Sequence, residues 1–372
     1  MLTALHNTNI ITNGETLSGK AVLIANGKIK AIVDEQALPA DAQRIDLNGN
    51  FIAPGFIDLQ IYGAGKHLFG SLPSTDALRG METELFNQGC TGFLATMATN
   101  SGEVVEAGIA AAKAYRPMAK GMFLGLHLEG PFLNAKRKGA HPDQFIKKAT
   151  LDQVKRWVDM ADGEIKMMTV APELQDDEVL AYMDEQGIIL SSGHSDATYD
   201  EAKGFLHQPI KAITHLYNAM PQMHHREPGI IPAIFEERPY TSIVADGIHV
   251  NFAMIALAKR ELGERLFLIT DAVAEASEGT YQHVFTGDRF TMPDGTLSGS
   301  CLTMLTAVQN CVDHCNISLP EAVNMASLYP AQLAGLSTKG MIAEGFDADL
   351  IIFDKDFQVR STMFNGGLTM ST

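Results

Sequence analysis

The segment Met122-Phe-Leu-Gly-Leu-His-Leu-Glu129 is an apolar run that ends in a carboxylate, and seven similar runs share the chain with it. Amphipathic segments with the 3.6-residue period of helices packed on a sheet lie between these runs. This alternation predicts βα units and a parallel sheet, and eight strands are the number that closes a (β/α)8 barrel of the TIM type. The eight predicted strands are Gly55–Tyr62, Gly92–Met97, Met122–Glu129, Lys166–Ala171, Gly187–Gly193, Ile210–His215, Thr241–Asp246 and Arg265–Asp271.

Three of the intervening segments predict helices with particular clarity: Leu151–Asp162, Gln175–Gln186 and Phe252–Leu262. A doubly wound open sheet is the competing α/β fold. It is disfavoured because no glycine-rich dinucleotide-binding loop follows the first predicted strand.

The two ends of the chain have a different sequence pattern, in which short strand-like runs are separated by Asn-Gly turns. The first fifty residues show this pattern, and the C-terminal end shows it too, with an alternating run from Ala348 to Phe353 and a closing Asn365-Gly366. We therefore expect both termini to build one small β unit. The N-terminal turns, which predict hairpins, are Asn13-Gly14, Asn26-Gly27 and Asn48-Gly49.

Composition restricts the classes of partner. The chain has 372 residues, 46% of them hydrophobic and 19% charged, as in ordinary soluble proteins. A 20-residue apolar run and a signal-peptide pattern are both absent from the sequence, so we predict a cytoplasmic protein without a membrane span. The net charge of −16 argues against nucleic acid and anionic membranes as partners. The four cysteines lack zinc-knuckle spacing and are predicted to be reduced thiols.

Five polar side chains stand at, or one residue beyond, the C-terminal ends of five different predicted strands. In a βα barrel that end is the catalytic face. One or two such residues are explained as helix caps, and Asp246 taken alone is explained in this way. Five on five strands are better explained by a functional site. They are Glu129, His194, His215, Asp246 and Asp271.

Glu129, His194 and His215 together offer one carboxylate oxygen and two imidazole nitrogens. This set suits Zn²⁺ or another divalent first-row ion with one position left open. Each histidine alone is more simply a structural residue, but the three at one barrel mouth predict a metal site. Asp271 is then placed to take a proton from water at the metal and pass it to the leaving group, although a helix N-cap is its simpler role.

The first predicted strand argues against a second metal. Asp58, Gln60 and Tyr62 alternate with apolar residues, so their side chains point the same way, into the barrel mouth. Binuclear barrel hydrolases place two histidines at the latter two positions. An amide and a neutral phenol are poor Zn²⁺ ligands, and we expect one ion per chain.

A polar loop, Thr214–Gly229, follows the sixth predicted strand and holds His224, His225 and Arg226. Its simplest interpretation is a solvated loop. An acidic protein with an anionic substrate needs local cations, however, and this is the densest cluster near the predicted mouth. His249 is a candidate for the same anion site. His141, on the loop after Glu129, is a candidate for polarising a carbonyl opposite the metal.

Taken in order, a set of short motifs resembles the N-acetylglucosamine-6-phosphate deacetylases of the amidohydrolase superfamily, over nearly the whole chain. Any one of them is weak, but the ordered set is highly specific. The motifs are Pro54-Gly-Phe-Ile-Asp58, His127-Leu-Glu-Gly-Pro131, Lys138-Gly-Ala-His141, Gly193-His194, Thr214-His-Leu-Tyr-Asn-Ala-Met220, Arg226-Glu-Pro-Gly229, Asp246-Gly-Ile-His249, Thr270-Asp271 and Leu297-Ser-Gly-Ser300.

The resemblance implies a fold, a substrate and a distribution of roles. The fold is a small β-sandwich of residues 1–50 and 345–372 joined to a barrel of residues 51–344. The substrate is a phosphorylated amino sugar, cleaved at its acetamide by a homodimer with one divalent metal per chain, Zn²⁺ favoured over Fe²⁺. The resemblance implies that Glu129, His194 and His215 bind the metal. It implies that Asp271 is the general base and acid and that His141 polarises the carbonyl. Substrate binding is implied for Gln60, Asn218 and Ala219, and Arg226 and His249 are implied to reach the phosphate across the dimer interface.

Tyr62 departs from the family pattern, which has two histidines or Gln-x-Asn on the first strand, while Gln60 agrees with its single-metal members. Three rival functions stay open. Deacetylation of the galactosamine epimer leaves no readable mark in one sequence. A cyclic-amide hydrolase of the dihydroorotase type usually has the two-histidine strand and a bridging lysine. A catalytically inactive scaffold is disfavoured by the intact set of Glu129, His194, His215 and Asp271.

Overall fold

The structure is a computed structural model that describes residues 2–70 and 72–370. Its strands are β1 Thr3–His6, β2 Asn9–Thr12, β3 Glu15–Leu17, β4 Lys20–Ala25, β5 Lys28–Asp34, β6 Gln43–Asp46, β7 Phe51–Pro54, β8 Phe56–Ile61, β9 Gly63–Ala64, β10 His67–Leu68, β11 Cys90–Ala98, β12 Phe123–Glu129, β13 Ile165–Val170, β14 Ile189–Ser192, β15 Ala212–Ile213, β16 Tyr240–Val244, β17 Leu266–Ile269, β18 Val284–Phe285, β19 Phe290–Thr291, β20 Leu350–Phe353, β21 Val359–Phe364 and β22 Gly367–Met370. Its α-helices are α1 Thr75–Asn87, α2 Gly102–Tyr115, α3 Leu151–Ala161, α4 Asp177–Glu185, α5 Tyr199–Phe205, α6 Ile230–Glu237, α7 Phe252–Leu262, α8 Met304–Cys315, α9 Leu319–Ala326 and α10 Leu328–Leu333.

Eight strands form one sheet in the order β8-β11-β12-β13-β14-β15-β16-β17, which is their order in the chain. The successive pairings from β11 to β17 are parallel, and one helix from α1 to α7 lies between each pair of neighbours in sequence. Hydrogen bonds connect the C-terminal end of β8 with the residues that follow β17: the Asp271 N–H donates to the Gln60 carbonyl at 3.0 Å, and the Tyr62 N–H donates to the Ala272 carbonyl at 2.9 Å. This is the (β/α)8 arrangement that the sequence predicts, and each of the eight predicted runs overlaps one of these strands.

Burial explains why the sequence marks these elements so clearly. All nine residues of β11 and all six of β8 are buried because both faces of these strands are covered, and most of the residues in each strand are apolar. Helix α3 buries Val154, Trp157 and Ala161, which repeat at helical spacing on one face. The Thr150 side chain accepts from the Gln153 N–H to cap its start. The predicted helix over residues 151–162 is thereby confirmed.

Two further sheets are built from the ends of the chain. One has the order β5-β4-β1-β6 and the other the order β22-β21-β20-β7-β2-β3, in which β20 from the C-terminal end pairs with β7. One apolar core joins residues of both sheets, among them Leu5, Val22, Ile52 and Ile352. The predicted β-sandwich from both ends is confirmed.

The Asn-Gly turns mostly behave as predicted. Asn13-Gly14 and Asn26-Gly27 have positive φ at both residues and connect antiparallel neighbours, as type I′ hairpin turns do. Asn48-Gly49 also has positive φ values, but it connects β6 to β7, which belong to different sheets. The hairpin predicted there is wrong, because the chain crosses from one layer to the other at this turn.

The chain divides into two compact units. The first contains the chain up to residue 58, residues 83–92 and everything from residue 303 onward; the second contains residues 59–82 and 93–302. Helices α8 to α10 thus fall in the unit that holds the terminal sheets, and the domain bounds expected at 50/51 and 344/345 stay a prediction. None of the helices in the described residues has the length and apolar character needed to cross a membrane.

Candidate active site

Sharp backbone turns at the strand ends bring the predicted site residues together. Glu129 is the last residue of β12, and His194, His215 and Asp271 each stand two residues beyond the end of β14, β15 and β17. The latter three have φ values of 49°, 35° and 54°. Non-glycine residues seldom adopt this left-handed conformation, so the chain is locally strained where these side chains turn into the barrel mouth.

Three potential ligand atoms converge on one point. The Nε2 of His215 lies 2.9 Å from Oε1 of Glu129 and 3.1 Å from the Nε2 of His194, which is itself 3.3 Å from the same Oε1. All three side chains are buried. One carboxylate oxygen and two imidazole nitrogens at these separations form the donor set of a divalent-metal site with an open position.

The protonation state of His194 indicates that this cluster fits a cation. The Nδ1 of His194 lies 2.7 Å from the Arg137 carbonyl oxygen, which can only accept, so Nδ1 carries the proton. Burial lowers the pKa of His194 to about 4, and its Nε2 therefore presents a lone pair toward the carboxylate oxygen of Glu129. Two electron-rich atoms facing each other in a buried site need a positive charge between them. The Nδ1 of His215 is the ring nitrogen that does not face this cluster, and it has no hydrogen-bond partner among the described residues.

His141 borders the same cluster from the other side. Its Nε2 is 3.4 Å from Oε2 of Glu129, and Glu129, His141 and His194 together also satisfy the spacing of a three-ligand metal group. The shorter distances favour His215 as the third ligand. Thr99 holds the opposite nitrogen of His141, with its hydroxyl 2.8 Å and its backbone N–H 3.4 Å from Nδ1. An Nδ1 that accepts the backbone N–H leaves Nε2 as the N–H that faces the cavity.

Asp271 is buried and bound by an amide. Gln60 Nε2 donates to its Oδ1 at 2.7 Å and lies 3.3 Å from Oε1 of Glu129. Burial raises the pKa of Asp271, which suits a group that must both accept and return a proton. Gln60, predicted to bind substrate, is 2% exposed and orients these carboxylates.

Tyr62 faces the other oxygen of the same carboxylate. Its hydroxyl donates a hydrogen bond to Oε2 of Glu129. Burial and the negative charge of Glu129 raise the pKa of Tyr62 well above its ordinary value, so the phenol keeps its proton and remains a donor. Although burial opposes ionisation, His141 and the neighbouring imidazoles hold the pKa of Glu129 well below its ordinary value.

These side chains open into a cavity of about 300 Å³. Glu129, His141, His194, His215 and Asp271 line its chemically active side, and Asn218, Ala219 and His249 extend it. An apolar wall faces them. It is made by Tyr62, Ala98, Val273 and Tyr281, which belong to one buried cluster.

The resemblance assigned His249 and Arg226 to a dimer interface, and the two residues lie at different places relative to the cavity. His249 lines the cavity of its own chain, with Nδ1 2.6 Å from Oδ2 of Asp246 and Nε2 4.0 Å from Oδ2 of Asp271. Its assignment to a dimer interface stays a prediction. Arg226 is exposed on the loop after β15, together with His224 and His225, and does not line the described cavity.

Several residues of the site escaped the sequence-based prediction. Tyr281 donates from its hydroxyl to the Thr99 carbonyl oxygen at 2.8 Å, and His283 Nδ1 lies 3.0 Å from the Ser298 hydroxyl. Both rings line the cavity. The spacing of Tyr281 and His283, two residues apart just before β18, was the available signal, since side chains at that spacing share a face of an extended segment.

A (β/α)8 barrel with one carboxylate, two imidazoles and a further buried acid at the C-terminal mouth defines the class of metal-dependent barrel hydrolases. Comparison with known proteins agrees. The profile of the amidohydrolase family matches residues 51–369, and that of the NagA composite domain matches residues 2–52.

Full-length relatives narrow the class further. The chain is 34% identical to the N-acetylglucosamine-6-phosphate deacetylase of Haemophilus influenzae, over 98% of both chains, and 34% identical to that of Bos taurus, over 96% of this chain and 94% of the relative. The crystal structure of the deacetylase from Pasteurella multocida has a TM-score of 0.94 at 33% identity, covering 100% of both chains. The chain belongs to the amidohydrolase family and, within it, to the N-acetylglucosamine-6-phosphate deacetylases. Family membership and the buried glutamate–histidine cluster together indicate a divalent metal.

Proposed function

We propose that the protein hydrolyses the acetamide of N-acetyl-D-glucosamine 6-phosphate to D-glucosamine 6-phosphate and acetate. The observation that carries this proposal is the convergence of Glu129, His194 and His215 beside the buried carboxylate of Asp271. The names of the full-length relatives supply the substrate. The reaction serves amino-sugar catabolism or cell-wall recycling.

Glu129, His194 and His215 would hold one ion per chain. This ligand set occurs in zinc hydrolases, and a site of this kind generally binds Zn²⁺ more tightly than Fe²⁺. When bound, such an ion supplies Lewis-acid polarisation of the carbonyl and lowers the pKa of water. The low polarity of the buried site strengthens these charge interactions.

Asp271 and His141 carry the proton chemistry. Asp271 accepts a proton from the attacking water and later returns it to the leaving amine, so the proton balance closes within the site. His141 donates a hydrogen bond from Nε2 to the acetamide oxygen, where negative charge develops as water adds to the carbonyl carbon. Gln60 keeps the Asp271 carboxylate oriented through its 2.7 Å hydrogen bond.

The phosphate needs local cations because the chain carries a net charge of −16. Asn218, Ala219 and His249 line the cavity and would meet the phosphate there. Arg226 lies outside this cavity, and we infer that it reaches the phosphate of a second protomer in a homodimer. A guanidinium donates two parallel hydrogen bonds to phosphate oxygens and stays charged at any working pH. The cytoplasmic location expected from the sequence stays a prediction.

Steady-state kinetics on three sugars test the proposal. N-acetylglucosamine 6-phosphate, its galactosamine epimer and unphosphorylated N-acetylglucosamine are compared on one preparation with known metal content. We expect the highest kcat/KM for N-acetylglucosamine 6-phosphate and a large loss without the phosphate. Preference for the galactosamine epimer would correct the substrate, and no release of acetate from any of the three by metal-loaded protein would refute the function.

A further inference from the structure

Tyr62 has no part in the proton transfers proposed above, yet its side chain is held in one place. It is 8% exposed, and its ring packs in a buried cluster with Ala98, Val273 and Tyr281. Its backbone N–H donates to the Ala272 carbonyl at 2.9 Å. A ring that is anchored at its backbone and packed in a buried cluster gives its hydroxyl a fixed position.

That hydroxyl makes the two oxygens of Glu129 different. Oε1 faces the imidazole nitrogens of His215 and His194, at 2.9 and 3.3 Å. Oε2 accepts the hydrogen bond from the Tyr62 hydroxyl. The Gln60 amide nitrogen, in β8, lies 3.1 Å from the same hydroxyl and 3.3 Å from Oε1.

We propose that Tyr62 is a positioning residue that makes Glu129 a one-oxygen ligand. Its hydroxyl holds Oε2, which leaves Oε1 for the metal, and it occupies the side of the carboxylate that a second, bridged ion would need. The inference rests on the proposed role of Glu129 as a metal ligand. Hydrogen bonds that orient a ligand typically contribute about 10- to 100-fold in metal affinity.

Zinc affinity tests this role most directly. Metal-free wild type, Tyr62→Phe and Tyr62→Met are titrated with Zn²⁺ in competition with a chromophoric chelator. Both variants lack the hydroxyl, and two different side chains protect the test against one that fails to fold. We expect each to weaken zinc binding by about 10- to 100-fold.

Tyr281→Phe is the matched control, because this buried tyrosine packs in the same cluster but donates to the Thr99 carbonyl. Its zinc affinity should stay within about threefold of wild type, an allowance well below the effect expected at Tyr62. Melting temperatures of the metal-free proteins report structural damage separately.

Three results would overturn the inference. Wild-type zinc affinity in both Tyr62 variants would show that the hydroxyl does not position Glu129. An equal loss in Tyr281→Phe would show a general loosening of the apolar wall. Weak zinc binding by the wild type that is unchanged in Glu129→Gln would refute the metal site of the proposed function, and this inference with it. That failure is distinguishable from the other two because it is seen in protein in which Tyr62 is intact.

Discussion

Replacing Asp271 with asparagine isolates the proton-transfer step from folding and metal binding. The amide oxygen of asparagine can still accept the 2.7 Å hydrogen bond from Gln60, so no buried donor loses its partner. Asparagine cannot accept the proton of the attacking water. General-base catalysis contributes about 10²- to 10⁴-fold, equivalent to about 2.7–5.5 kcal/mol in the activation barrier. We therefore expect kcat to fall by two to four orders of magnitude or more.

The assay is acetate release from N-acetylglucosamine 6-phosphate at saturating substrate, with metal content and melting temperature measured on the same samples. Asp246→Asn is the matched control. Asp246 is a carboxylate on the neighbouring strand end, and it binds the backbone N–H groups of Ile248 and His249 at 2.8 Å. Its substitution should cost far less in kcat than that of Asp271. Near-normal turnover by Asp271→Asn would refute the assigned base.

Three further outcomes are expected. His215→Ala should remove metal and activity together, as metal analysis and kinetics on one sample will report; full metal content would exclude His215 as a ligand. Arg226→Ala should lower kcat/KM for the phosphorylated sugar about 10- to 100-fold and hardly affect the unphosphorylated one, and mixing it with His194→Ala should restore some activity in heterodimers if the site is shared. Burial lowers the pKa of His283 to about 4. The free energy of unfolding should therefore fall as the pH falls from about 6.5 toward 4, because the unfolded chain binds a proton at this histidine that the folded chain does not bind. Over that interval the loss is about 3 kcal/mol, and His283→Phe should remove it from the pH dependence of urea unfolding.

The barrel was predictable because its strands are buried on both faces. Continuous apolar runs such as β11 and one-faced helices such as α3 are strong sequence signals. The predicted run Ile210–His215 shrinks to the two-residue strand β15, and after the strand the chain turns to bring His215 into the mouth at a φ of 35°. Sequence patterns do not register a strained turn of this kind. The crossing from one sheet to the other at Asn48-Gly49 was missed because an Asn-Gly pair looks the same in a hairpin and in a crossover.

Much of the candidate site followed from topology. The C-terminal ends of parallel strands meet at one face, so the sequence alone was enough to group Glu129, His194, His215 and Asp271. The contacts of Gln60 and Tyr62 could not, because period-2 geometry places them in the mouth without showing which carboxylate each one binds. Tyr281 and His283 come from a long segment beyond the last barrel strand, and only the fold brings their rings to the cavity.

Reconstitution of metal-free protein with zinc tests the central claim most directly. Deacetylation of N-acetylglucosamine 6-phosphate is measured after each addition of a fraction of an equivalent of Zn²⁺. Since Gln60 and Tyr62 stand where a binuclear site has histidines, activity should rise linearly and stop rising at one equivalent per chain. Full activity in the metal-free protein, or a linear rise that ends only at two equivalents, would contradict a deacetylase with one ion held by Glu129, His194 and His215.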